Sequence, residues 1–113
     1  MAVTIYHNPR CGTSRSTLAL LEKKGITPKV VQYLDTPLDA DGIKGLLKKL
    51  KLTAHDLLRK KEAAPLGLDP DAMTEAQLIA AMVKHPILIQ RPVVVNGAKA
   101  IIARPPETAL EIL

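Results

Sequence analysis

Residues 2–34, AVTIYHNPRCGTSRSTLALLEKKGITPKVVQYL, decide the fold. Val3 and Ile5 alternate with Thr4 and Tyr6, the period of a half-buried strand. His7-Asn8-Pro9-Arg10 is a turn that ends it. From Gly12 the spacing becomes helical. Thr13 and Ser14 are capping types, Leu18 and Leu21 open an apolar face, and Lys23-Lys24-Gly25 is a stop signal. Pro28 then precedes a second strand, Lys29 to Leu34. A strand, a helix and a strand in so short a stretch form a βαβ unit, with parallel strands and a right-handed crossover.

Beyond this unit, Ile43, Leu46, Leu47 and Leu50 fall on one face of an amphipathic helix over residues 39–51. Thr53 caps a short helix running to about Arg59. Pro65, Gly67 and Pro70 predict an irregular stretch over residues 60–73. Thr74 and Gln77 form a capping box for a helix to about Lys84. Val93-Val94-Val95, Asn96-Gly97 and Ala98 to Ile102 read as a hairpin, and Pro105-Pro106 opens a last helix over residues 106–113. The order is βαβ, a helical insert, ββ and α, which is that of the thioredoxin-like fold, an α/β architecture with a mixed sheet. We expect one domain over residues 1–113, with the insertion at about 39–84.

Composition narrows the function. Hydrophobic residues are 47% and charged residues 24% of the chain, a globular balance. No apolar run approaches the ~20 residues a membrane helix requires, and the N-terminus shows no basic-then-apolar signal segment. Lys and Arg number 16 against 11 Asp and Glu, so the net charge of +5 favours anionic partners. Two Tyr, no Phe and no Trp leave little to stack on bases, which argues against nucleic acid. Cys11 is the one cysteine. It excludes an internal disulfide and a multi-thiolate zinc site, and it fits a reducing, cytoplasmic setting. His55 and His85 are expected on helix surfaces with no ligand partners, so no metal is expected.

A lone cysteine is ordinarily a small buried hydrophobe. Cys11 instead lies between Arg10 and Gly12, at a strand-to-helix turn. Unpaired N–H groups and the helix dipole favour an anion there, and a thiol pKa of ~8.5 can fall to ~3.5–7.5 in such surroundings. Thr13 and Ser14 can donate to the sulfur, and His7 and Arg10 add positive charge. Only five of the 16 basic residues are arginines: Arg10, Arg15, Arg59, Arg91 and Arg104. Arginine is the residue suited to multidentate oxyanion binding. The topology brings Arg91 before strand 3 and Arg104 after strand 4 to the same rim as Cys11; it does not place Arg59. A phosphatase-type loop would need arginine where this chain has Thr17, and a two-cysteine redox motif would need cysteine at Ser14.

The run Tyr6-His7-Asn8-Pro9-Arg10-Cys11-Gly12-Thr13-Ser14-Arg15 resembles the active-site loop of glutaredoxin-coupled arsenate reductases. The resemblance continues through Leu57-Leu58-Arg59-Lys60, residues 85–92 and Arg104-Pro105, and so covers essentially the whole chain. It implies a nucleophilic Cys11, an arsenate oxyanion held by Arg59, Arg91 and Arg104, and a His7 that helps lower the thiol pKa. It also implies a Ser14 bonded to the thiolate, and Pro92 as the cis-proline of the fold. No tightly bound cofactor is implied: glutathione is a co-substrate and glutaredoxin the partner. Many members of that family run on past the position of Leu113, and any role of such a tail is expected to be absent or filled otherwise. Two alternatives stand beside it. One is a general glutathione-dependent thiol reductase; the other is a non-enzymatic thioredoxin-like regulator that binds RNA polymerase, a class that usually carries two cysteines.

Overall fold

A computed structural model describes residues 2–113. The chain divides into two compact units, one built from residues 1–36 and 91–113, the other from residues 37–90.

The first unit holds the sheet. Strands β1 (Val3–Tyr6), β2 (Lys29–Val31), β3 (Val93–Asn96) and β4 (Lys99–Ile102) lie in the order β2-β1-β3-β4. β1 pairs parallel with β2 and antiparallel with β3, in a register that sets Ile5 opposite both Val30 and Val94. The alternation of β1 is realised, with Val3 and Ile5 buried and Thr4 and Tyr6 half-buried. Helix α1 (Gly12–Lys23) supplies the crossover and lays Leu18 and Leu21 on the core of Val3, Ile5 and Val94. It stops where the sequence signals a stop. Gly25 takes φ +80°, its N–H reaches Glu22 O, and the N–H of Ile26 reaches Leu21 O at 3.0 Å. That is a Schellman motif, which needs a residue free to adopt positive φ.

Four expectations change in this unit. Cys11 itself takes the cap position of α1, not Thr13 or Ser14; its backbone is extended and its carbonyl accepts from Arg15 N–H. β2 ends at Val31 rather than Leu34, because the Gln32 carbonyl turns back to accept from both Asp35 and Thr36 N–H groups. In the hairpin Asn96 is still in the ladder, opposite Lys99, so the two-residue turn is Gly97-Ala98 with Gly97 at φ +62°. The Asn96 side-chain amide donates to Ile112 O at 2.7 Å. That bond fixes the end of the last segment, Pro106–Ile112, which is a 3₁₀ helix and not an α-helix. Its bonds run three residues back, from Thr108 N–H to Pro105 O and from Leu113 N–H to Leu110 O.

The second unit is helical. α2 (Ala40–Leu50) is capped by Asp39 Oδ1, which accepts from Gly42 N–H at 2.7 Å, and it buries Ile43, Leu46 and Leu47. α3 (Ala54–Leu57) is shorter than expected, because Leu58 leaves the helix to bridge Ile89. The Arg59 N–H to Leu88 O bond and the Gln90 N–H to Leu57 O bond flank that bridge. Residues 60–73 are less irregular than their prolines suggest. α4 (Lys60–Ala63) and 3₁₀ turns at Ala64–Leu66 and Pro70–Ala72 fill them, the prolines sitting in first turns where their missing N–H costs nothing. α5 (Glu75–Lys84) starts at the Thr74/Gln77 box as expected. Its Glu75 carboxylate accepts from Ala54 N–H, tying α5 to the start of α3. His55 and His85 are half-buried rather than exposed, and His55 Nε2 pairs with Pro70 O. No helix among the described residues is long and apolar enough to cross a membrane. The mixed four-stranded sheet with its crossover helix is the thioredoxin-like fold.

Candidate active site

The turn between β1 and α1 is built by its own polar groups. Asn8 O accepts from Cys11 N–H at 3.0 Å, and Asn8 Oδ1 accepts from Arg10 N–H at 3.0 Å. The Ser14 hydroxyl oxygen accepts from Asn8 N–H at 3.0 Å and lies 2.6 Å from His7 Nδ1. Arg15 Nη1 donates to Pro9 O at 2.8 Å and closes the turn from outside. These bonds hold Cys11, half-buried, at the head of α1.

Two arginines reach the sulfur from the other side of β1. Arg104, just past β4, brings Nη1 to 3.8 Å from Cys11 Sγ and donates from the same nitrogen to Arg91 O at 2.9 Å. Arg91, buried, precedes β3, and its side chain is among the groups that favour the thiolate. The Arg91–Pro92 peptide is cis, and so is Arg104–Pro105, which the sequence reading did not anticipate.

The thiol answers to these neighbours. Partial burial pushes its pKa up. The backbone N–H of Ser14, the side chains of Arg104 and Arg91 and the backbone N–H of Thr13 all favour the thiolate, and the net shift is downward. Two expected contributors act otherwise. His7 is buried, and desolvation, followed by the charge of Arg15, pushes its pKa below the ordinary value. That shift favours its neutral form, and His7 is not among the groups that lower the thiol. The Ser14 hydroxyl is engaged with His7 and Asn8, so it is the backbone N–H of Ser14 that faces the sulfur. Arg10 is exposed and is not among the groups that shift the thiol.

The structure thus gathers Cys11, Arg91 and Arg104, with His7 and Ser14 beneath them in the turn. Arg59 belongs to the second unit, half-buried at the cap of α4. Sequence reasoning missed the structural parts of Asn8 and Arg15. The Asn-Pro pair signalled a turn but not an Asx-type bond to Arg10, and nothing local marks Arg15 as the partner of a carbonyl six residues back. No cluster of His, Cys, Asp and Glu among the described residues could hold a metal. A thiolate beneath two guanidinium groups and beside helix N–H donors can bind an oxyanion and attack its central atom.

Residues 6–112 match the ArsC family. The chain is 50% identical over 114 residues to the uncharacterized protein YfgD of Escherichia coli (strain K12), covering 98% of this chain and 96% of that one. It is 46% identical over 116 residues to an arsenate reductase of Haemophilus influenzae, covering all of both chains. It is 45% identical to an arsenate reductase of Escherichia coli, covering 98% of this chain and 80% of that one. The solved arsenate reductase from Vibrio cholerae superposes with a TM-score of 0.89 at 43% identity, covering 100% of this chain and 98% of that one. On these matches the chain belongs to the ArsC family.

Proposed function

We propose that this chain reduces arsenate to arsenite, with electrons from glutathione and glutaredoxin. The observation that carries the reading is Arg104 Nη1 at 3.8 Å from a Cys11 sulfur whose thiolate form Arg91 also favours. Cys11 thiolate attacks arsenic(V) and displaces hydroxide or water, leaving a cysteinyl arsenate. Arg91 and Arg104, with Arg59 as the third arginine of the proposed site, offset the charge of the oxyanion. A glutathione thiol then adds to arsenic. Arsenic gains two electrons and leaves as arsenite while the two sulfurs join as a mixed disulfide. Glutaredoxin takes the glutathione sulfur and restores Cys11. One cysteine requires this route, since the second thiol must come from outside. Such chemistry runs in a reducing cytoplasm and needs no bound cofactor.

The test is steady-state turnover of arsenate with glutathione, glutaredoxin and a reductase that consumes NADPH. Arsenate-dependent oxidation that Cys11→Ser abolishes, with the circular dichroism unchanged, is the expected result. Turnover surviving above a few per cent in that variant, or no arsenate dependence in folded wild type, overturns the reading.

A further inference from the structure

A cavity of about 370 Å³ lies against the turn that carries Cys11, within the ~300–1,000 Å³ usual for small-ligand pockets. One wall is His7, Asn8 and Arg10; the other is Gln32, Leu34 and Asp35, where the chain leaves β2. His7 and Asn8 are about nine-tenths or more buried, at 5% and 4% exposure. His7 bonds through Nδ1 alone, and Asn8 uses its side-chain oxygen for Arg10 N–H. His7 Nε2 and Asn8 Nδ2 have no hydrogen-bond partner among the described residues. Neither nitrogen is among the fully buried atoms left without a partner, so both are open to solvent and free to donate. These two belong to side chains that line a cavity, and the exposed Arg10 and Asp35, of opposite charge, line it too.

We propose that this cavity binds the α-amino-acid head group of a thiol, its carboxylate on Asn8 Nδ2 and Arg10 and its ammonium on Asp35, so delivering the second sulfur to Cys11. The proposal rests on the reading of Cys11 as a nucleophile that needs an outside thiol, and it adds where that thiol docks. The sheet order supports the placement. Gln32 to Asp35 follow β2, on one side of β1, whereas Arg91 and Arg104 come from the β3 and β4 side. Thiol and oxyanion would then approach Cys11 from opposite flanks without competing for the same cations. The reach is short. Asn8 O accepts the Cys11 N–H at 3.0 Å, so the cavity's wall and the nucleophile belong to one tight turn. Glutathione and cysteine both carry this head group, at different distances from their sulfur.

Disulfide exchange tests the site without arsenate. Cys11 thiolate attacks one sulfur of a symmetrical disulfide, forms a mixed disulfide and releases one thiolate, with no net oxidation. The rate is read by mass spectrometry for glutathione disulfide, cystine and the uncharged 2-hydroxyethyl disulfide, in wild type and in Arg10→Gln, Asp35→Asn and the double variant. Wild type should prefer one of the two charged disulfides over the neutral one, and the arm preferred identifies the source. Each single change should cost about three- to fivefold with the preferred disulfide, and the double change more, while the neutral disulfide moves less than about twofold. Equal rates for charged and neutral disulfides in wild type overturn the proposal. So does an equal fall for all three disulfides, which would mean that the residues act through thiol acidity. Loss of arsenate turnover with the preference intact would remove the arsenate reading and leave the cavity assignment standing.

Discussion

His7 Nδ1 lies 2.6 Å from the Ser14 hydroxyl oxygen, and that oxygen also accepts the N–H of Asn8. The pair is buried and braces the turn, and neither side chain is among the groups that favour the thiolate. Its two roles, holding the turn and shaping the thiol, separate by experiment.

Ser14→Ala removes the hydroxyl and leaves the backbone N–H that faces Cys11. Two buried partners lose their bond, which costs about 1–3 kcal/mol. The denaturation midpoint should fall accordingly. The pH dependence of iodoacetamide alkylation should still report a Cys11 pKa below that of a free thiol. If the pKa rises to the free-thiol value without loss of stability, the hydroxyl was the sulfur's partner.

In wild type the same alkylation profile should give an apparent pKa below that of a free thiol, as at other helix starts. Because the folded thiol is more acidic than the unfolded one, its ionisation stabilises the fold. That contribution is present above the unfolded pKa and disappears as pH falls through the folded value. Arg104→Gln should move the profile upward, since its Nη1 is one of the donors to the sulfur.

His7 gives an acid-side signature of opposite origin. Its folded pKa is lowered, so below the unfolded value of about 6.5 the unfolded chain holds a proton that the folded chain does not. Stability therefore rises with pH in that window and is lost as pH falls through it. Urea midpoints at pH 7.5 and 5.5 should differ in wild type and differ less in His7→Gln. An unchanged difference would mean that His7 charges freely inside the turn.

The parts of the fold that sequence carried were those with local causes. The alternation of Val3 and Ile5, the Gly25 stop and the Thr74/Gln77 box each depend on neighbours a few residues away. What it missed depends on distant partners. Asn96 left the turn to bond Ile112, and Leu58 left α3 to bridge Ile89. The site divides the same way. A helix-start cysteine was legible from Cys11-Gly12, and strand order alone brought Arg91 and Arg104 to it. The downward shift of His7 was not legible, because burial and the position of Arg15 cause it.

Lys51 ends α2 at φ +58°, the one non-glycine residue with positive φ among the described residues. A side chain there costs about 1 kcal/mol that glycine avoids. Lys51 is exposed and its removal opens no cavity. Lys51→Gly should therefore raise the thermal midpoint by a few degrees and leave Cys11 alkylation unchanged; a lower midpoint would show that the lysine side chain contributes more than its backbone costs.

The arginines give the sharpest kinetic test. A guanidinium offers a planar fork to an oxyanion, and a lysine ammonium offers only a point charge. A charge-assisted contact is worth about 1.5–3 kcal/mol, so Arg91→Lys and Arg104→Lys should each lower kcat/KM for arsenate by about ten- to a hundredfold. Arg104→Lys also loses the bond from Nη1 to Arg91 O, so it should be at least as severe. Arg59→Lys should behave as they do if the proposed third arginine acts with them. Lys60→Ala is the surface control. It breaks an exposed 3.2 Å pair with Asp71, which contributes little to stability and lies outside the proposed chemistry. If an Arg→Lys variant matches wild type in kcat/KM, that arginine does not hold the substrate. If Lys60→Ala falls as far as the arginine variants, loss of positive charge anywhere on the surface is enough, and the case for a shaped oxyanion site at Cys11 fails.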